Sequence, residues 1–130
     1  MLFTFVACGE KTEKKEEKKI KLEKKEPEAE VKKDTDTELI ALGKKLFKDK
    51  TCTTCHLVDS KVIGPSIKDI NKIYAEQNAD IVAFLKDELE PIVDTNPGQV
   101  AIMKANLDGF VKDLNDKELQ AIKAYMLSVN

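Results

Sequence analysis

The pentapeptide Cys52-Thr53-Thr54-Cys55-His56 decides how the rest of this chain folds. Its C-x-x-C-H spacing is typical of the covalent attachment of a c-type haem. Two thiols add to the two vinyl groups on one porphyrin edge, so they must lie about one helical turn apart. The adjacent His56 is then carried under the ring, where its imidazole binds the iron as the proximal axial ligand. The motif predicts one covalently bound haem c.

The same residues suit a structural zinc site or a thioredoxin-like redox pair less well. A structural zinc ion takes four ligands, whereas the motif offers at most three, and His56 is the single histidine of the chain. The remaining cysteine, Cys8, lies beyond a long charged tract. A thioredoxin-like pair requires a βαβ pattern nearby, and no strand pattern is found around Cys52. A haem-free thiol or metal module would therefore require an accidental match to the haem motif.

Composition limits the classes of partner. The 130 residues suffice for one domain. A net charge of −2 gives no general attraction to nucleic acid or to an anionic membrane surface, so neither is expected as a partner on charge alone. Arginine and tryptophan are absent, and all 22 basic residues are lysines. This argues against a site built on bidentate recognition of carboxylate or phosphate groups.

The N-terminal part differs in character from the rest. Residues 1–8 are apolar and end in Phe5-Val6-Ala7-Cys8, which resembles a bacterial lipobox with Cys8 as the lipidated residue. A basic n-region, which a secretory signal carries, is missing, so a frayed terminus with a free thiol stays open as an alternative. Residues 9–36 are rich in Lys and Glu and too poor in apolar residues to offset their ordering entropy. We expect a disordered tether there, and a folded domain at residues 37–130.

Hydrophobic periodicity predicts helices, and no strands, in this domain. The predicted helices are Thr37–Lys48, Ile67–Tyr74, Ala79–Leu89 (capped by Asn78) and Asp116–Val129. The first begins at a cap formed by Asp36 or Thr37, and the last begins with Asn115 and Glu118 in the pattern of a capping box. Gly43 lies inside the first helix at a cost of about 1 kcal/mol relative to Ala, which indicates that another helix approaches it closely.

Residues 91–114 are predicted to form a long loop with at most one helical turn, because Pro91, Asn96-Pro97-Gly98 and Asp108-Gly109 are turn signals. A loop of this length in so small a domain is usually functional, and Met103 lies in its middle. Gly64-Pro65 marks a further turn shortly after the haem motif.

Together these features resemble the class I, mitochondrial-type cytochromes c, in particular the small bacterial ones. The resemblance covers residues 37–130. It is carried by the following residues: Cys52, Cys55 and His56, Gly64-Pro65, Met103, and the terminal helices with Gly43, Phe47 and Tyr125. It implies an all-α fold of about four to five short helices around one haem, with the first and last helices crossing. It also implies that the carbonyl group of Pro65 orients His56, and that Met103 is the distal iron ligand.

The identity of the sixth iron ligand stays open. The family usually has a proline after its methionine, whereas Lys104 follows Met103. The alternative is that Met103 is a packing residue and that the iron is open or bound by lysine. Met126 falls on the predicted buried stripe of the last helix, where methionine is commonly a gap-filler.

A haem with both axial positions filled transfers electrons without making a bond to a substrate. The resemblance therefore implies a monomeric electron carrier, not an enzyme. Its partners would be redox proteins such as a quinol–cytochrome c reductase and a terminal oxidase or other reductase. Its location would be the bacterial periplasm, tethered through a lipid on Cys8 or soluble. The alternative function is a haem enzyme subunit or a gas or peroxide sensor with an open sixth site.

Overall fold

The computed structural model describes residues 28–130, with side chains from residue 34 onward. The predicted lipidation residue Cys8 and most of the predicted tether 9–36 lie outside the described residues. The helices are α1 Glu28–Asp49, α2 Ile67–Glu76, α3 Ile81–Leu85, α4 Pro97–Asn106 and α5 Asp116–Ser128. A 3-10 turn, Cys52–Thr54, follows α1, and a π-helical turn, Leu107–Val111, follows α4. The described part contains no strand, and the predicted all-α architecture is confirmed.

The two terminal helices, α1 and α5, cross at Gly43. A Cβ atom at this position would overlap the carbonyl oxygen of Ala121 and would lie 2.9 Å from the Cβ atom of Tyr125. Only glycine permits this approach, which explains why α1 tolerates its poor helix propensity. Next to the crossing, the rings of Phe47 and Tyr125 lie 5.4 Å apart at an interplanar angle of 58°. The sequence predicted the crossing and three of these four residues; Ala121, which is fully buried, was not anticipated.

α1 begins at Glu28, so the predicted start at Thr37 is wrong. Asp36 and Thr37 lie inside the helix and are exposed. Capping residues are tolerated within an exposed helix because their propensities are only a few tenths of a kcal/mol worse than those of good helix formers. The Glu, Ala and Lys residues at positions 28–33 are such good formers, which explains why the helix includes residues before Thr37.

α5 has the predicted beginning. The side chain of Asn115 accepts a hydrogen bond from the backbone N–H of Glu118, and the Glu118 carboxylate accepts one from the backbone N–H of Asn115. A buried side-chain bond fixes α5 against α2, because Asn71 Nδ2 donates to the carbonyl oxygen of Met126 at 2.7 Å.

The buried apolar side chains of the core come from every helix except α4. They are Leu46, Phe47, Ile67, Ile70, Tyr74, Val82, Leu85, Leu107, Val111, Leu119, Ala121, Ile122 and Met126.

The middle of the chain differs from prediction in two places. α3 is shorter than the predicted Ala79–Leu89, because Asp80 rather than Asn78 caps it and Asp87 adopts a left-handed conformation (φ 61°) just after it ends. The predicted loop at 91–114 is also wrong, since it contains α4 and the π-helical turn. Asn96-Pro97 is an N-cap followed by proline at the first helical position, a helix start as well as a turn signal.

Within residues 28–130, no helix combines the length and the apolar character that crossing a lipid bilayer requires.

Candidate haem site

The haem motif lies in a tight turn directly after α1. Thr51 enters this turn in a left-handed conformation (φ 62°), which is uncommon for a β-branched residue and marks local strain. The 3-10 turn that follows is closed by hydrogen bonds from Cys55 N and His56 N to the carbonyl oxygen of Cys52, at 3.2 and 2.9 Å. The turn places the two cysteines and the histidine along the edge of one cavity.

The ring of His56 is held by the Gly64-Pro65 turn. His56 Nδ1 lies 2.8 Å from the carbonyl oxygen of Pro65, and since a carbonyl can only accept, Nδ1 carries the proton of the neutral ring and donates it. Nε2 is then the nitrogen with a free lone pair for a metal. Gly64 packs against the ring face, because a Cβ atom there would lie 2.5 Å from Cε1 of His56. The contact between His56 and Pro65 implied by the resemblance is present, and Gly64 has a packing role that turn chemistry alone did not reveal.

Both cysteines of the motif are half-buried, and they form no disulfide with each other. Burial raises the pKa of the Cys52 thiol to about 11, mainly by desolvation of the thiolate. Among residues 28–130, no group of three or more His, Cys, Asp or Glu side chains is placed to hold a metal ion.

A cavity of about 400 Å³ opens beside the motif, within the usual size range of cofactor sites. We call residues 52–65 the proximal segment and residues 91–111 the distal segment. Both contribute to the cavity walls, and the innermost lining comes from the apolar side chains Phe47, Ile70, Tyr74, Leu85, Ile122 and Met126. An apolar cavity with two thiols and one imidazole nitrogen at its edge fits a covalently attached haem.

The distal segment brings Met103 to the cavity. Met103 lies on α4, is half-buried and lines the cavity. Its neighbour Lys104 forms an ion pair with Asp87 at 2.6 Å, so this lysine is engaged with a carboxylate. Met126, on α5, also lines the cavity but is buried, with 4% of its surface exposed. The structure therefore brings Met103 together with the proximal residues, and it places a second methionine at the same cavity.

Besides Lys50, sequence reasoning missed a second charged residue of the cavity lining, Asp94. It lines the cavity and accepts hydrogen bonds from Lys61 Nζ and from the backbone N–H of Asn96, at 3.0 and 3.1 Å. Both bonds lower the pKa of its carboxyl group, the one from Lys61 most. The available signal was its position two residues before the helix cap Asn96, but the interpretation of this stretch as a loop concealed it.

The geometry can be set beside known proteins. The cytochrome c family matches residues 40–130 of this chain, which is most of its length. The chain belongs to the cytochrome c family. It carries one covalently bound haem c and is a monohaem electron carrier rather than an enzyme. Bound haem supplies a one-electron Fe(III)/Fe(II) couple, and the protein's residues hold it, orient its ligand and exclude water from it.

Individual cytochromes show the same likeness. A segment of 58 residues is 41% identical to cytochrome c-551 of Azotobacter vinelandii and covers 45% of this chain and 70% of that protein. A segment of 48 residues is 40% identical to cytochrome c-551 of Pseudomonas denitrificans and covers 37% and 57% of the two chains. Cytochrome c-552 of Nitrosomonas europaea is 38% identical over 45 residues, or 35% of this chain and 43% of that protein. The predicted family, fold class and cofactor are confirmed.

Proposed function

We propose that this cytochrome carries single electrons by outer-sphere transfer through a haem ligated by His56 and Met103. Cys52 and Cys55 form the thioethers, and the Pro65 carbonyl orients His56. The observation that carries the proposal is the joint position of Met103 and His56 at one cavity, with His56 Nδ1 engaged at 2.8 Å by Pro65. A soft thioether opposite histidine favours Fe(II) and raises the reduction potential.

The same ligand set closes the iron to small molecules. With His56 and Met103 both bound, no coordination position is left for oxygen or peroxide, so the chemistry reduces to electron exchange at the haem edge. The partners are redox proteins. We propose a quinol–cytochrome c reductase as donor, a terminal oxidase or other reductase as acceptor, and brief docking of this monomer through a small interface.

We further propose that the carrier works in the bacterial periplasm, where c-type haem is attached, and that it is tethered to the membrane. Cys8 would carry the lipid and residues 9–27 would form the flexible tether, because residues 28–36 of the predicted tether belong to α1. A coil of 19 residues reaches about 25 Å on average. Replacement of Cys8 by Ser in the full chain should move the protein from the membrane fraction to the soluble periplasmic fraction. Unchanged fractionation of the variant would refute the lipid anchor and leave the electron carrier intact.

The ligand assignment is tested with a matched pair of methionine variants. The protein is expressed in a host that matures c-type cytochromes, reduced, and exposed to carbon monoxide. The wild type should show c-type bands that carbon monoxide leaves unchanged. Met103→Leu should bind carbon monoxide and should have a lower reduction potential, because the soft ligand is lost while the side-chain volume is kept.

The control for this test is Met126→Leu, which alters the other cavity methionine in the same way. It should behave as the wild type in both the spectrum and the potential. Carbon monoxide binding by the wild type would refute the closed site. A ligation change in Met126→Leu but not in Met103→Leu would reassign the sixth ligand to Met126.

A further inference from the structure

Lys61 and Asp94 form an ion pair at the rim of the haem cavity. Lys61 Nζ lies 3.0 Å from Asp94 Oδ2, and the two residues are 33 positions apart in sequence. Lys61 belongs to the proximal segment and Asp94 to the distal segment. Within the described part of the chain, no other side-chain ion pair joins these two segments. The pair is thus a direct electrostatic link between the two walls.

Each partner is connected to a proposed iron ligand. The backbone of Lys61 forms an isolated antiparallel bridge with that of His56. Asp94 Oδ1 accepts a hydrogen bond from Asn96 N, and the Asn96 side chain caps α4, the helix that carries Met103. A change in the pair can therefore act on the haem in two ways, through charge or through movement of the walls.

The two charges are unequally exposed to water. The Asp94 side chain is 17% exposed and lines the cavity, whereas the Lys61 side chain is 61% exposed. Asp94 is also the one carboxylate among the described cavity-lining residues. Coulomb interactions are strong where the dielectric constant is low, and solvent and salt screen exposed charges. The charge of Asp94 would consequently act on a haem in this cavity more strongly than the charge of Lys61 would.

The sign of this effect follows from the redox reaction. Oxidation from Fe(II) to Fe(III) removes one electron and adds one positive charge to the haem. A nearby carboxylate stabilises the oxidised form and lowers the reduction potential, and a nearby ammonium group does the reverse. We propose that Asp94 is a potential-setting residue of this cytochrome and that Lys61 offsets its charge. The inference rests on the proposed function as an electron carrier, and it names the residues that set the reduction potential of the same haem.

The experiment compares three variants of the full holoprotein: Lys61→Gln, Asp94→Asn and their combination. Asparagine is the matched replacement because its side-chain oxygen can still accept the bond from Asn96 N. Lys61→Gln leaves Asp94 unpaired and should lower the reduction potential. Asp94→Asn should raise it, and the double variant should fall between the two. Lys68→Gln is the control, since Lys68 pairs with Asp59 on the surface at 2.7 Å and neither residue lines the cavity.

The control also separates local from long-range charge effects. The shift in Lys68→Gln should be smaller and should vanish in high salt, whereas the shift in Asp94→Asn should persist. Shifts of the same sign in Lys61→Gln and Asp94→Asn would overturn the proposal, because that result indicates opened walls and water entry. A Lys61→Gln shift no larger than that of Lys68→Gln would overturn it as well.

Two further readouts keep this test independent of the proposed function. Carbon monoxide added to each reduced variant reports whether the sixth ligand is retained. The wild type, the two single variants and the double variant form a double-mutant cycle. Their denaturant unfolding gives the coupling free energy between Lys61 and Asp94 without reference to electron transfer. If the variants do not bind carbon monoxide and Lys61→Gln and Asp94→Asn do not shift the reduction potential in opposite directions, only the role of Asp94 is refuted. If the wild type binds carbon monoxide, the proposed ligation itself is refuted.

Discussion

The proximal and distal segments form walls of the same cavity but are held in different ways. In the proximal segment, short-range bonds fix the ligand: His56 N to the Cys52 carbonyl at 2.9 Å, Gly64 N to the Cys55 carbonyl at 3.0 Å, and His56 Nδ1 to Pro65 at 2.8 Å. In the distal segment, Met103 lies on α4, a helix with no buried residue. His56 is thus positioned by its own neighbours in sequence, whereas the position of Met103 depends on α4, which packs mainly against the adjacent π-helical turn.

The largest difference between the segments should appear when one glycine in each, Gly64 or Gly109, is replaced by alanine. Gly64→Ala places a Cβ atom 2.5 Å from Cε1 of His56, and either the ring or the turn must move. We expect the ferric holoprotein to lose about 3 kcal/mol of unfolding free energy, the upper range for overpacking. Denaturant unfolding measures the loss, and the visible spectrum shows whether the His56 ligand has moved.

Gly109 is the matched control in the distal segment. A Cβ atom there meets nothing within 4 Å, and its φ angle is not positive. Gly109→Ala should therefore be neutral or stabilise the protein by about 0.5 kcal/mol, since alanine has fewer unfolded conformations to lose. Equal losses in both variants would show that the proximal turn is no more constrained than the distal one.

This difference explains how far the sequence could predict each wall. The proximal geometry lies within one short stretch, and the motif and Gly64-Pro65 carry the resemblance that implied the contact of His56 with Pro65. The capping box at Asn115 is equally local and was predicted. The distal wall needed a choice between turn and helix at Asn96-Pro97-Gly98, and the same residue types serve both.

Contacts between distant segments could not be predicted either. The position of Asp94 before the Asn96 cap is local, but nothing in the sequence links Asp94 to Lys61, which is 33 residues away. Ala121 is likewise an ordinary helix residue until Gly43 is placed against it. Such contacts depend on tertiary packing, which periodicity and capping rules do not describe.

The caps of the two helices should separate local from global stability. Asn96→Ala removes the acceptor for Gly98 N and Gln99 N at the start of α4, at a cost of about 1 kcal/mol. Because α4 packs mainly against the adjacent π-helical turn rather than against α1 and α5, this loss should favour local opening around Met103. Imidazole should then displace the sixth ligand from the ferric haem about 5-fold faster than in the wild type, as 1 kcal/mol corresponds to roughly that factor.

The comparison variant is Asn115→Ala, which removes the equivalent cap from α5. The expected cost is again about 1 kcal/mol, but α5 packs against α1 across the core. Global unfolding free energy should fall, and the rate of imidazole binding should stay at the wild-type value. If Asn96→Ala lowered global stability by the same amount and left imidazole binding unchanged, the distal segment would be part of the main cooperative unit.

The smallest effect concerns the acid stability of α3, the helix that precedes the distal segment. Lys123 Nζ on α5 donates to Asp80 Oδ1 at 2.9 Å, and Asp80 also accepts from Val82 N. These bonds lower the pKa of the Asp80 carboxyl group in the folded state, the one from Lys123 most. A carboxyl group of this kind stabilises the fold above its unfolded pKa of about 4, and this contribution is lost as the pH falls through the folded pKa.

Asp80→Asn keeps an oxygen for Val82 N and removes the charge. At pH 7 it should cost well under about 1 kcal/mol, because solvent screens an exposed ion pair, and 1 M salt should abolish the difference. Between about pH 5 and pH 2 the wild type should lose this advantage, so the unfolding free energies of the two proteins should converge. Urea unfolding across this pH range measures the convergence. If the difference in unfolding free energy between the two proteins were the same at all pH values, Asp80 would act only as the cap of α3. Its ion pair with Lys123 would then contribute nothing to holding α3 against α5.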